Sequence, residues 1–168
     1  MPNYVKNVVK FKKVNSEIVD KLITKLSNPN LKMAIDFNNI IPQPNTKAEC
    51  PKKYLVSADE HIELIDGKEW FDWYDWNSDK WGTKWNACDS YMYKGKSWVT
   101  FIFDTAWQCP LPIFNELAKL GYDMEIKYAD EDYGYNCGRF SYDKELKALV
   151  EEPIENERQF ARNLWKNY

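Results

Sequence analysis

Five aspartates, Asp72, Asp75, Asp79, Asp89 and Asp104, are the side chains of this sequence best suited to acid–base work or to ligating a hard metal, since sets of carboxylates hold Mg²⁺ or Ca²⁺ and carry protons. No D-x-D-x-D-G loop gathers them, and aspartates beside tryptophans more often cap helices or accept from indole N–H groups. The single histidine, His61, has no cysteine at a zinc-ligand spacing, and a Cys–His catalytic pair would need Cys88, Cys109 or Cys137 to reach it through tertiary folding. A P-loop, a G-x-G-x-x-G turn after a strand and a G-x-S-x-G elbow are all missing, so nucleotide hydrolysis, dinucleotide redox chemistry and α/β-hydrolase chemistry have no local support. The expectation is a noncatalytic protein with no metal and no cofactor.

Binding chemistry is better represented. The stretch Trp70–Trp85, WFDWYDWNSDKWGTKW, holds five of the chain's eight tryptophans interleaved with Asp72, Asp75, Asp79, Lys80 and Lys84. Such a cluster either anchors a core beneath a long connection or builds a recognition surface. Lys52, Lys53, Lys80, Lys84, Lys94 and Lys96 surround it in sequence, and aromatics beside lysines can stack bases and hold phosphates. The bland alternative has Trp81, Trp85 and Trp107 packing over the sheet edge while the lysines only keep the surface soluble. The candidate binding surface comprises Trp70, Trp73, Trp76, Trp81, Lys84, Trp85, Trp107 and Tyr133. The acidic run Asp130-Glu131-Asp132 reads as a solvated turn beside that last residue.

Composition bounds the partners. The 168 residues fit one domain that would bury roughly 70% of the surface of its unfolded chain. A hydrophobic share of 44% against 29% charged suits a self-folding globular protein. A net charge of -3, with both signs mixed along the chain, disfavours nonspecific DNA binding and is too small for a DNA mimic. Four widely spaced cysteines without a C-x-x-C pair, and no apolar leader or spanning segment, point to free thiols in a reducing cytoplasm and to no membrane role.

The elements that must position these residues can be read in order. Tyr4–Phe11 is rich in β-branched and aromatic residues and reads as a strand with Lys6 and Lys10 exposed. Asn15 starts a helix carrying Ile18, Leu22, Ile23 and Leu26, stopped by Ser27-Asn28-Pro29-Asn30. Residues 32–37 read as a short strand, followed by a Pro-broken insertion over about 42–90 whose part before Trp70 is helical in its second half. Within the insertion, Trp70, Trp73 and Trp76 fall on one face of a short helix, and Gly82 interrupts the run. Ser97–Asp104 is a central strand ending at Thr105-Ala106-Trp107, and Pro110 and Pro112 open a helix that ends at Gly121. Strands at 123–128 and 137–142 follow, then a tail with a final helix around Phe160, Leu164 and Trp165.

Several strings carry a family likeness: Met1-Pro2-Asn3 leading into a strand with Asn7, Phe37-Asn38-Asn39-Ile40-Ile41-Pro42-Gln43-Pro44, Trp81-Gly82-Thr83-Lys84-Trp85, Phe103-Asp104-Thr105-Ala106-Trp107 before Pro110, and Tyr133-Gly134 through Gly138 and Phe140. In combination they resemble the YubB ferredoxin-like family, small proteins encoded largely by phages, prophages and plasmids. The resemblance implies an α/β fold of the α+β sandwich type: a ferredoxin-like βαββαβ core in a single domain over 1–168, with the Trp-rich segment inserted and a C-terminal extension from about 143. It implies a mobile-element origin and no known catalytic mechanism. Tyr4 stands where the family often has Trp, Cys109 sits beside the prolines after Trp107, and the tail is longer than the likeness leads one to expect. The expected role is to occupy a host protein or ribonucleoprotein complex, such as a CRISPR effector of a defence system. The alternative is a binding module for nucleotides or single-stranded nucleic acid. Sequence leaves the oligomeric state open.

Overall fold

The computed structural model describes residues 3–56 and 68–168. Its first strand, β1 (Tyr4–Lys12), alternates so that Val9 and Phe11 enter one core while Val8 enters another on the opposite face of the sheet. Asn15 then caps α1 (Ser16–Leu26), its side chain accepting from the Ile18 N–H at 2.9 Å, and the helix buries Val19, Leu22 and Leu26. Later in the chain come α2 (Trp73–Lys80), β2 (Cys88–Lys94), β3 (Trp98–Ala106), α3 (Leu111–Ala118), β4 (Met124–Asp130), β5 (Cys137–Asp143), β6 (Ala148–Glu151) and α4 (Glu157–Asn167).

The six strands form one antiparallel sheet in the order β2-β3-β1-β4-β5-β6. Its first four strands, with α1 and α3 as the crossovers, are a βαββαβ core of α+β type. Strands β5 and β6 extend it beyond β4. On one face, α1, α3 and the described residues between 33 and 87 bury a continuous core in which Phe37 meets Trp81 edge-on at 5.6 Å and Phe103 at 5.7 Å. On the other face α4 lays Ala161 and Leu164 over Val8, Ile102 and Ala129, and the Trp165 indole donates to the Ala129 carbonyl at 3.0 Å.

Three expectations need correction. Residues 32–37 are not a strand: a 3₁₀ turn at Pro29–Leu31 is enclosed by an isolated bridge between Asn28 and Met33, and a second turn follows at Phe37–Asn39. The buried Asp36 carboxylate accepts from Asn28 Nδ2, the Asn38 N–H and Asn86 Nδ2 at 2.7–2.9 Å, so side chains take over the polar bonding that a ladder would provide. The second core strand is instead β2, and the long connection therefore lies between α1 and β2. Lys6 is not exposed but 7% accessible, because α4 covers it. In the Trp-rich stretch, Asp72 caps α2 by accepting from the Asp75 N–H at 3.0 Å, which leaves Trp70 ahead of the helix. His61 and the helical half expected before Trp70 lie outside the described residues.

Candidate binding site

Two of the strings singled out in the sequence dock on each other. Trp81 ends α2 and is 2% exposed, its indole donating to the Ile41 carbonyl at 2.8 Å. Gly82 follows at φ +78°, where a side-chain carbon would sit 2.7 Å from Pro112 Cδ, so both the backbone turn and the close approach require glycine. Thr83 Oγ1 donates to the Ala106 carbonyl at 2.9 Å and accepts from the Ala106 N–H at 3.1 Å, pinning the turn to the end of β3. Asn77 completes the clamp: its Nδ2 donates to the Lys84 carbonyl at 2.8 Å while its Oδ1 accepts from Gln43 Nε2 at 2.6 Å.

With its backbone held in this way, Lys84 reaches into a group of four rings. Its Nζ lies 5.3 Å from the ring centres of Trp85 and Trp107, 5.5 Å from Tyr74 and 6.0 Å from Trp73. Ring faces carry the negative part of the aromatic quadrupole, so each attracts the ammonium without neutralising it. Among the described residues no carboxylate forms an ion pair with Lys84, whereas Lys53 pairs with Asp79 at 2.7 Å and Lys94 with Asp20 at 3.0 Å. Tyr74 and Trp107 leave about two-fifths of their surface in water, at 40% and 42%.

Trp107 also joins this patch to the loop after β4. It adopts φ +65°, a left-handed backbone that costs a non-glycine residue roughly 1–2 kcal/mol, and the strain is held by the Trp107 N–H donating to Asn3 O at 2.9 Å. The Trp107 carbonyl accepts from Asn136 Nδ2 at 2.7 Å. The Asp130–Asn136 loop carries Tyr133, 38% exposed, and Tyr135, fully exposed. Between this loop and the start of α4 lies an open groove of about 640 Å³, lined in part by Tyr133, Tyr135, Asn156 and Arg158.

The eight candidate residues thus divide. Trp73, Lys84, Trp85 and Trp107 come together, with Tyr133 on the adjoining loop. Trp73, 6% exposed, also belongs to the buried core, as do Trp76 and Trp81, which pack edge-on against each other at 5.5 Å. Trp70 lies half-buried against Phe71. The sequence does not mark Tyr74, Asn77, Thr83, Tyr135 or Asn136 as binding residues, although Tyr74 stands inside the Trp-rich run and Thr83, Tyr135 and Asn136 lie within the strings that carry the family likeness. The bond between Asn136 and Trp107 joins two of those strings over a separation that no local pattern records.

Three of the five candidate acid–base groups, Asp72, Asp79 and Asp104, are occupied structurally. Asp72 caps α2, and Asp79 accepts from Lys53 Nζ and the Tyr54 hydroxyl, bonds that hold its carboxyl below the ordinary range. Burial pushes the Asp104 carboxyl up, against the opposing pull of Lys6. Burial likewise raises the Cys88 thiol to about 11 and the Cys109 thiol to about 12, so neither is a ready thiolate. No three His, Cys, Asp or Glu among the described residues stand together as metal ligands, and no helix there is long and apolar enough to cross a membrane.

A family model described as the ferredoxin-like domain in Api92-like protein matches residues 80–165, from the last residue of α2 into α4. No curated protein and no solved structure gives a significant match.

Proposed function

The chain belongs to the family of the ferredoxin-like domain in Api92-like protein, and on that premise we propose that it acts without catalysis, by occupying a host macromolecule through the Lys84–Trp107 patch. The observation that carries this reading is the Lys84 ammonium, gripped by four rings, unpaired among the described residues, and rimmed by the exposed Tyr74 and Trp107. Large rings around a well-fixed polar centre are the composition of interface hot spots, where a few anchors carry most of the binding energy. Tyr133 and Tyr135 extend the surface through the loop tied to Trp107.

The Trp81–Trp85 and Phe103–Trp107 strings resemble the YubB ferredoxin-like family, which supports a phage, prophage or plasmid source and a partner in the bacterial cytoplasm, such as a component of a defence system. Affinity capture from a bacterial lysate with and without nuclease, using wild type and Trp107→Ala, tests it. The expected result is nuclease-resistant capture of one host protein or complex that the substitution reduces. Capture that survives the substitution unchanged, or that disappears with nuclease, would overturn it.

A further inference from the structure

We infer that Lys84 is a preformed seat for one carboxylate, an Asp or Glu side chain presented by a protein partner with an apolar neighbour that packs on Tyr74 and Trp107; this rests on the proposed binding function. Four rings already surround the ammonium at 5.3–6.0 Å, so the patch has no empty cage for an external cation. The rings stabilise the charge without cancelling it, and the counter-charge is left to a ligand.

The seat is also prepared in advance. Asn77 holds the Lys84 carbonyl, the preceding Thr83 is bonded to Ala106, and four rings stand around the ammonium, so less freedom remains to be lost on binding than at a free surface lysine. A charge-assisted bond made by a fixed donor is stronger and more selective than one made by a free surface lysine.

Charge around the patch decides between partner classes. Asp75 follows Tyr74 on α2, and Glu131 and Asp132 stand in the loop that Asn136 ties to Trp107. A nucleic acid would bring a row of phosphates against these carboxylates with only Lys84 in the patch and Arg158 in the adjoining groove to meet it, and an effective polyanion site uses several cations. A single carboxylate flanked by apolar or basic side chains meets the pattern as it stands.

Three small probes test the seat on the full chain: phenylacetate, phenylethylammonium and adenosine monophosphate, followed through the indole N–H signals of Trp85 and Trp107 by nuclear magnetic resonance. Lys84→Met keeps the stem and removes the charge, Lys84→Arg keeps the charge, and near-ultraviolet circular dichroism checks that both fold. Phenylacetate should shift both signals saturably in wild type and phenylethylammonium should not. Lys84→Met should weaken the phenylacetate response by about tenfold or more, with Lys84→Arg retaining most of it. An equal response to phenylethylammonium, an undiminished response in Lys84→Met, or tighter binding of adenosine monophosphate than of phenylacetate would overturn the carboxylate seat. Host capture that persists in Lys84→Met overturns the seat and keeps the binding reading. Charge-dependent phenylacetate binding without any patch-dependent host capture keeps the seat and removes that reading.

Discussion

Lys6 Nζ lies 2.7 Å from Asp104 Oδ1, across directly paired residues of β1 and β3, with the two side chains only 8% and 9% exposed. The pair is roofed by α4, whose Trp165 ring sits 4.7 Å from the same ammonium. Removing one partner strands the other charge in a low-dielectric site. Lys6→Met should therefore cost about 3 kcal/mol in urea unfolding, and the joint replacement of both residues by Met and Leu should recover most of that loss. A single substitution costing less than the double one would sink this account.

The same carboxyl gives a pH dependence. Desolvation leads the causes that raise Asp104 above its ordinary value, so the folded state binds a proton there that the unfolded chain has already released. This contribution to stability is present at low pH and is lost as pH rises from the unfolded value through the raised folded one. The stability difference between wild type and Asp104→Asn should fall over that climb, as unfolding curves at successive pH values would reveal. A difference that grows with pH contradicts the assignment.

Core and patch tryptophans should separate cleanly in stability measurements. Trp81, 2% exposed and bonded to Ile41, should cost about 3–5 kcal/mol when replaced by Ala. Trp107, two-fifths exposed and in a left-handed conformation, should behave differently: Trp107→Gly relieves the strain and should leave stability within about 1 kcal/mol of wild type. Chemical denaturation of the two variants side by side checks the contrast, and equal losses would refute it.

Gly82 and Gly134 make a paired test of backbone demand. A methyl at Gly82 meets Pro112 Cδ at 2.7 Å and a φ of +78°, so Gly82→Ala should cost about 1–3 kcal/mol, lowering the melting temperature by several degrees. At Gly134 nothing lies within 4 Å, and Gly134→Ala should have little effect.

Thiol reactivity offers a chemical check. With Cys109 raised to about 12 and Cys88 to about 11, iodoacetamide at pH 8 should label both far more slowly than free cysteine, with Cys109 the slower of the two. Peptide mass spectrometry over time follows each site, and rapid labelling of Cys109 would show that its burial has been misjudged.

The parts of this fold that were legible in the sequence are those whose local signals agree with their tertiary role. Asn15 capping α1, the proline start of α3 and the alternating run of β3 all fall within a few residues of expectation. Residues 32–37 misled because their apolar content matched a strand while Asp36 was committed to side-chain and turn bonds. Strand β2 escaped because a register shift between Cys88 and Tyr91, with Asp89 at φ +45°, breaks its alternation. At the patch, tryptophan spacing announced an aromatic cluster but could not say which rings face water. That depends on Gly82, Thr83 and Asn77 turning Lys84 toward Trp107, and such long-range bonds leave no periodic trace.

The position of β1 bears on how this protein can be divided. It is hydrogen-bonded to β3 on one side and β4 on the other, although both follow it by most of the chain. A fragment beginning near Lys80 would retain α2's last residue, five strands and the C-terminal helix, yet it would lack the strip that joins them. What remained would be two ribbons joined only through α3, β2 with β3 and β4 with β5 and β6, each exposing a bare edge of backbone donors and acceptors. Truncation to the most recognisable half should therefore yield an aggregating polypeptide, and supplying residues 3–12 as a separate peptide would be the rational route to its rescue.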